Sequence, residues 1–291
     1  MYLKYYGFKE APFNMTPNSR FFFESAKHTE ALSTLIYAIK ERKGFVVITG
    51  EIGAGKTTVC RTLLNKLDSR VKTALITNTH ISGKEMLCSI LEELEVEYIP
   101  GSKSKLLSQL NQYLIEQLRQ NYNVVLVIDE AQNLRPAVLE EVRMLSNLET
   151  EHEKLIQIIF LGQPELKKKL ALPRLEQLRQ RVAFFYHLTP LTVEETRQYI
   201  LHRLKIAGEA SRQYFTPGAL KLICEFSRGI PRVINQLSDS ALLNGFIYER
   251  PVIDEPLMEE VIHESPMMQI AIEPQKKIHL LDGLEKERVV D

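Results

Sequence analysis

The chain has 291 residues, 44% of them hydrophobic and 25% charged, so it can bury the core of one large domain or of two modest ones. Its 37 lysine and arginine residues balance 37 aspartate and glutamate residues. This neutral total weakens the case for a nucleic-acid or membrane-surface protein, although a local basic face can still bind nucleic acid. The three cysteines lack CxxC spacing, which argues against a disulfide framework or a zinc site.

The N-terminal residues and the apolar runs both bear on location. Residues 1–10 contain two lysines and no long apolar stretch follows them, so we expect no signal peptide. The most apolar runs, residues 124–128 and 155–161, are far shorter than the roughly 20 residues of a membrane-spanning helix. We therefore expect a cytoplasmic protein with no direct membrane span, held peripherally at an inner membrane, if at all, through a partner.

Short apolar runs rich in β-branched and aromatic residues predict the strands of a sheet. They are residues 44–49, 73–77, 124–128, 155–161 and, more weakly, 184–188. Between them lie helical patterns, such as the leucines on one side of a helix at Leu107, Leu110, Leu114 and Leu118. This alternation predicts an α/β fold in which helices cover both faces of a mainly parallel sheet, a three-layer domain.

After Pro190 the strand patterns stop and helix signals take over. Thr192 and Glu195 form a capping box at the start of a helix. Thr216 and Pro217 are the cap and first-turn residue of another helix, and a third begins near Pro231. These signals predict a small helical domain.

The first predicted strand is followed at once by a complete phosphate-loop motif, GxxxxGK and then a hydroxyl residue. Its residues are Gly50, Glu51, Ile52, Gly53, Ala54, Gly55, Lys56, Thr57 and Thr58. The glycines allow the tight turn that points backbone N–H groups at phosphates, and the next helix adds its N-terminal dipole. Lys56 supplies a point charge to the outer phosphates and Thr57 a hydroxyl to Mg²⁺. The alternative is a chance match in a glycine turn, which the flanking strand and helix disfavour.

Two carboxylates, Asp129 and Glu130, end the third predicted strand, at the edge where parallel sheets bind ligands. Asp129 is placed to hold Mg²⁺ through water, and Glu130 to polarise the water that attacks the phosphate. An acidic pair at a strand end can instead cap the next helix. Because a phosphate loop precedes this pair, we favour the catalytic interpretation.

Further polar side chains could complete such a site. Gln163 follows the fourth strand and either reaches the γ-phosphate and the attacking water or merely begins the next helix. Arg181 precedes the fifth strand and either acts as an arginine finger on a neighbouring subunit or lies on a solvated helix face, and Arg179 is a second candidate for the finger. Arg232 begins a helix, where a basic residue opposes the dipole, so its partner is either the γ-phosphate or an acid within the helical domain.

The order of these features resembles the AAA+ ATPases and, more narrowly, the ExeA/GspA group. The motifs that carry the narrower resemblance are Tyr6-Gly7-Phe8, Pro12-Phe13, Thr16-Pro17, the phosphate loop, Asp129-Glu130-Ala131-Gln132, Leu161-Gly162-Gln163-Pro164-Glu165-Leu166 and Gly229-Ile230-Pro231-Arg232-Val233-Ile234-Asn235. The fold class is therefore expected to be a P-loop NTPase domain followed by a helical lid. We expect an N-terminal segment packing on the nucleotide domain at 1–43, the ATPase domain at 44–190, the lid at 191–265, and a tail, flexible or partner-binding, at 266–291.

The resemblance implies a bacterial ATPase that uses ATP and Mg²⁺ and assists assembly of an envelope machine: type II secretion, an MSHA-type pilus or an exopolysaccharide-associated system. It also implies a homo-oligomer, as a ring, and an inner-membrane or envelope assembly partner. The alternative is a DNA-associated AAA+ regulator of the transposition or initiator type, for which basic clusters at 167–169 and 179–181 would serve. A third alternative is a switch that binds ATP and scarcely hydrolyses it. The residues alone do not distinguish ATP from GTP.

Overall fold

The computed structural model describes residues 1–16, 18–150, 153–209 and 212–265. The chain forms two compact units, one of Pro17–Pro190 and one of Met1–Thr16 with Leu191–Asp291. The tail predicted at 266–291 lies outside the described residues.

Within the described residues, five parallel strands form one sheet in the first unit. The strands are β1 (Phe45–Gly50), β2 (Val71–Ile76), β3 (Asn123–Ile128), β4 (Gln157–Gly162) and β5 (Val182–Leu188). Their order is β2-β3-β4-β1-β5. The predicted parallel sheet is therefore confirmed, with strand ends shifted by a few residues from the apolar runs.

The helices in chain order fall in both units. They are α1 (Tyr2–Tyr6), α2 (Ala26–Lys40), α3 (Lys56–Lys66), α4 (Gly83–Glu93), α5 (Lys103–Arg119), α6 (Pro136–Leu145), α7 (Pro164–Leu170), α8 (Glu176–Gln180), α9 (Val193–Ala207), α10 (Pro217–Ser227), α11 (Pro231–Ile247) and α12 (Glu255–Glu264). No helix of the described residues has the length and apolar character needed to cross a membrane.

The central strands are buried on both faces because successive side chains point to opposite sides of the sheet. From β1, Phe45 and Val47 join the core that includes α4, α5 and α6. Val46 and Ile48 join a second core with residues of α2 and α3. This alternation explains why β1 is apolar without interruption, and it confirms the three-layer arrangement.

The buried face of α5 differs slightly from the predicted leucine stripe. Leu110 and Leu114 are fully buried as expected, and Leu106 completes the face. Leu107 and Leu118 are only partly buried. The buried face is therefore rotated by about 50°, half of the roughly 100° between successive residues, from the face that the spacing indicates.

The helical unit begins and ends its helices where the sequence signals indicate. Thr192 and Glu195 form both hydrogen bonds of a capping box at α9. The Thr216 side chain caps α10, with Pro217 in its first turn. Both features satisfy N–H groups that have no partner inside the helix.

The N-terminal residues pack differently from the expectation for segment 1–43. Residues Met1–Thr16 group with the helical unit, and only the remainder groups with the sheet. The Tyr6 hydroxyl donates to the Arg250 carbonyl oxygen at 2.9 Å, and Arg212 donates to the Tyr6 carbonyl oxygen at 2.9 Å. Tyr6 is buried against Phe8 and Tyr214. These aromatic and hydrogen-bond contacts tie the segment to residues more than 200 positions away in the chain.

Candidate nucleotide-binding site

The phosphate loop lies between β1 and α3, in the strand-loop-helix context that the motif requires. Gly53 and Gly55 have φ of 81° and 97°, a backbone region that L side chains rarely adopt. A Cβ atom on Gly55 would also lie 2.8 Å from Nε2 of His28. Glycine is therefore required at Gly55 by both conformation and space.

Lys56 is buried at the first position of α3, with only 6% of its surface exposed. Its Nζ donates to the carbonyl oxygens of Gly50 and Glu51, at 2.8 and 2.9 Å. Burial lowers the pKa of Lys56 below its ordinary value, and the charges of nearby carboxylates, led by Glu130 and Asp129, oppose that shift. The Lys56 ammonium group is thus buried and bonded to carbonyl oxygens of its own loop. A phosphate ligand would balance its positive charge.

Thr57 and Asp129 connect the phosphate loop to the end of β3. The Thr57 hydroxyl donates to Oδ2 of Asp129 at 3.0 Å, and the Glu130 backbone N–H donates to Oδ1 at 2.9 Å. A hydroxyl beside a carboxylate is the oxygen donor set that Mg²⁺ uses with phosphates. Within the described ranges, no group of three or more histidine, cysteine or acidic side chains could hold a metal ion. The donors present therefore suit a metal that takes its other ligands from phosphate and water.

Glu130 adopts a left-handed backbone conformation, with φ of 51° and ψ of 38°. Such a conformation is uncommon for a side chain other than glycine, asparagine or aspartate, and it costs about 1–3 kcal/mol. It turns the chain sharply from β3 into a single 3₁₀ turn at Ala131–Asn133. In this conformation the Glu130 carboxylate lies next to Gln163, the residue that follows β4.

Two amides hold the Glu130 carboxylate. Nε2 of Gln163 donates to Oε2 of Glu130 at 3.1 Å, and Nε2 of Gln132 donates to the same oxygen at 2.5 Å. The structure therefore brings together Glu130 and Gln163, which the sequence identified as candidates. The sequence predicts no role for Gln132, although its position two residues after Glu130 is a signal that could have identified it.

His28 is a second residue that the sequence analysis missed. It lies on α2 and is buried, with Nε2 3.1 Å from the Ala54 carbonyl oxygen and Nδ1 2.7 Å from the Ser25 hydroxyl. A carbonyl oxygen can only accept, so Nε2 carries a proton and donates to Ala54. His28 thus holds the phosphate loop through the Ala54 carbonyl oxygen.

The arginines before β5 are engaged within their own chain. Nη1 of Arg181 donates to the Ser146 hydroxyl at 2.7 Å, and Ser146 is buried at the end of α6. Nη1 of Arg179 lies 3.4 and 3.3 Å from the carbonyl oxygens of Leu170 and Ala171. Arg181 also helps to lower the pKa of Glu149, after the stronger effect of Lys154. The arginine finger remains a prediction.

Arg232 lies in the other unit, exposed in the first turn of α11. The helix begins at Pro231 after an Ile230 cap that makes no side-chain capping bond. The sensing role of Arg232 therefore stays a prediction as well.

Comparison with known proteins gives a family match and a relative. Residues 39–170 match the AAA domain family. The chain is 41% identical over 247 residues to general secretion pathway protein A of Aeromonas hydrophila, covering 84% of this chain and 45% of that protein. It thus spans about half the length of this relative. The resemblance to the ExeA/GspA group is confirmed over that range.

Solved structures share the fold at low identity. The Aeropyrum pernix ORC2 protein in its ADP form has a TM-score of 0.68 and 15% identity, covering 88% of this chain and 73% of that one. The Thermotoga maritima RuvB Holliday junction branch migration motor has a TM-score of 0.58 and 18% identity, covering 83% and 70%. These likenesses confirm the AAA-type P-loop fold. A P-loop NTPase fold with an intact phosphate loop binds nucleotide.

Proposed function

We propose that this chain binds ATP with Mg²⁺ and hydrolyses it, working as a homo-oligomer that assists assembly of a bacterial envelope machine. The observation that carries the hydrolytic part is the Glu130 carboxylate, held by two amides next to the carboxylate that contacts Thr57. An enzyme that transfers phosphate to a bound substrate does not need a carboxylate that activates water, so this carboxylate favours hydrolysis.

The phosphate loop and Lys56 hold the triphosphate. Backbone N–H groups of the loop and the start of α3 meet the phosphate oxygens, and Lys56 leaves its two loop carbonyls to bind the outer phosphates. Thr57 and Asp129 would hold the metal through their hydroxyl and carboxylate oxygens. Mg²⁺, when bound, neutralises charge on the phosphoryl group that is transferred. The resemblance to the AAA+ ATPases, and not a base-reading residue, implies ATP rather than GTP.

Glu130 orients the attacking water and accepts its proton, which leaves the water oxygen more nucleophilic. Gln163, within hydrogen-bond distance of Glu130, senses the γ-phosphate and the water together. Arg181 from a neighbouring subunit stabilises charge in the transition state, which requires it to leave Ser146. Arg232 acts as a sensor of the γ-phosphate.

The envelope role is supported by the 41% identity to general secretion pathway protein A. That relative is about twice as long as the matched region, so its partners and its whole activity come to this chain only as part of the proposal. The partner we propose is an inner-membrane or envelope assembly protein that holds the ATPase at the membrane. Type II secretion, an MSHA-type pilus and an exopolysaccharide system are the systems it would serve.

A second candidate is a DNA-associated regulator, favoured by exposed basic side chains on two neighbouring helices. These are Lys167 and Lys168 on α7, Arg174 before α8 and Arg179 on it. Binding that neutralised about six or more phosphates would give a steep salt dependence, with a slope near −0.9 per phosphate.

The test is steady-state ATP turnover across a protein dilution series, with and without double-stranded DNA, alongside the mass of the ATP-bound assembly. Specific turnover that rises with concentration, an ATP-dependent oligomer and indifference to DNA support the proposed function. Stimulation by DNA that collapses with added salt supports the regulator instead. ATP binding with no turnover at any concentration supports the switch.

A further inference from the structure

The Gln132 side chain joins the ends of two neighbouring strands. Its Nε2 donates to Oε2 of Glu130 after β3, at 2.5 Å. Its Oε1 accepts the backbone N–H of Gln163 after β4, at 3.0 Å. One amide therefore contacts both residues that the proposed function assigns to the attacking water.

The amide of Gln132 is packed as well as bonded. Only 9% of Gln132 is exposed. A Cβ on Gly162 would lie 2.9 Å from its Oε1, so the absence of a side chain at Gly162 makes room for the bridge. A buried amide with a partner for its donor and for its acceptor has a defined orientation, since reversing it would place like groups together.

The backbone that carries Gln132 is also fixed. Lys169 on α7 donates through Nζ to the carbonyl oxygens of Gln132 and Leu134, the latter at 2.8 Å. The 3₁₀ turn that contains Gln132 begins at the left-handed Glu130. Two features therefore fix the position of Gln132: the turn that follows the left-handed Glu130, and the hydrogen bonds from Lys169 on α7.

We infer that Gln132 is a positioning residue for hydrolysis: it holds Glu130 and Gln163 in one arrangement, so that the base and the phosphate sensor act on the same water. This inference rests on the proposed ATPase function. Because Gln132 bonds to Oε2, rotation of the Glu130 carboxylate is restrained while its other oxygen keeps a fixed direction. Gln132 itself does not touch substrate; it acts through the two residues it bridges.

A catalytic group must be correctly positioned as well as present. A misplacement of about 1 Å can cost about 10²-fold in rate, because the reacting atoms must lie within a narrow range of distance and angle. Loss of the bridge leaves Glu130 present but unrestrained on one side. We therefore expect a loss of turnover with little change in ATP binding, because the hydrogen bonds of Gln132 among the described residues go to Glu130, Gln163 and Lys169 and not to the phosphate loop.

Two substitutions test the hydrogen bond that Gln132 donates to Glu130 and the one that it accepts from Gln163. Gln132→Met keeps the length of the side chain and removes both hydrogen bonds, and turnover should fall about 10–100-fold. Gln132→Glu keeps the acceptor for Gln163 N–H but sets a negative charge against Oε2 of Glu130, so its turnover should fall further. The half-saturating ATP concentration should stay within about twofold of the parent in both. Gln177→Met, at an exposed position on α8, is the matched control and should match the parent.

A double-mutant cycle with Glu130→Gln distinguishes positioning from a general structural role. Adding Gln132→Met should lower the residual single-turnover rate of Glu130→Gln by less than it lowers the rate of the parent, because only the effect through Gln163 then remains. Additive losses, or a parallel loss of ATP affinity and thermal stability, would overturn the positioning role. If the parent hydrolyses ATP and Gln132→Met turns over at the parental rate, the role of Gln132 is wrong and the proposed function stands. A parent that binds ATP without turnover at any concentration overturns both.

Discussion

The hydroxyl of Thr57 donates to the carboxylate of Asp129 at 3.0 Å, which links the first turn of α3 to the end of β3. This contact holds the two proposed metal residues together. The proposed Mg²⁺ role of each therefore depends on the other.

Asp129→Asn should raise the Mg²⁺ concentration needed for half-maximal turnover by about 10–100-fold, since it removes the charge but keeps an acceptor for Thr57. Nucleotide binding without Mg²⁺ should be little changed. The measurement is ATP turnover over a Mg²⁺ titration. Asp68→Asn, at an exposed position, is the control and should follow the parent. An unchanged Mg²⁺ requirement in Asp129→Asn would remove Asp129 from the metal site.

Arg181→Ala should keep ATP binding and lose about 10³-fold or more in turnover, because the transition-state charge is left without its cation. Mixing this variant with Glu130→Gln should restore part of the activity. In mixed oligomers an intact Glu130 then meets an intact Arg181 of a neighbour. Failure of mixing to restore turnover contradicts an arginine that acts between subunits.

The contact between Arg181 and Ser146 calls for its own control. Ser146→Ala removes the hydrogen bond and leaves the arginine in place. Turnover near the parental value in Ser146→Ala would show that the loss in Arg181→Ala is not a packing effect. The same assay on Arg179→Ala and Arg174→Ala tests the other two arginines of this segment.

His28→Ala should leave the Ala54 carbonyl oxygen without its buried donor and lower the free energy of unfolding by about 1–3 kcal/mol. ATP affinity should fall too, because the loop loses its support. His28→Gln can still donate to the Ala54 oxygen and should recover most of both losses. The measurements are chemical denaturation and ATP titration. Equal effects of the two variants would mean that imidazole packing, and not the hydrogen bond, supports the loop.

The lowered pKa of Lys56 makes ATP binding depend on pH. Phosphates favour the protonated amine, so binding takes up protons between the lowered pKa and the ordinary lysine value, and affinity falls as pH rises through that window. Without ATP, the pKa of Lys56 is lower in the folded protein than in the unfolded chain. The contribution of Lys56 to the free energy of unfolding therefore rises with pH through the same window. Calorimetry in two buffers of different ionisation enthalpy measures the uptake. Lys66→Gln, at the other end of α3, should leave it unchanged.

The sequence best predicted the features that depend on residues close together in the chain. Lys56, Thr57, Asp129 and Glu130 follow strands at fixed spacing, so their placement at one edge of the sheet could be predicted. The capping residues were equally local. Contacts across the chain could not be predicted in this way, because nothing in the spacing relates His28 on α2 to Ala54.

The missed role of Gln132 has a different physical reason. Its reach back to Glu130 depends on the left-handed φ of Glu130, and a regular helix start would have sent the side chain elsewhere. The grouping of residues Met1–Thr16 with the helical unit also could not be read from local sequence. The contacts of Tyr6 are with Arg212, Tyr214 and Arg250, and these are set by packing and not by any local pattern.

The most direct test of the central claim is phosphate release from ATP by the parent chain and by Glu130→Gln, at a protein concentration that supports assembly. The account predicts Mg²⁺-dependent release by the parent and a loss of about 10²–10⁴-fold in the variant, with ATP binding retained. Release at the parental rate by Glu130→Gln would contradict the account, since another group would then have to activate the water.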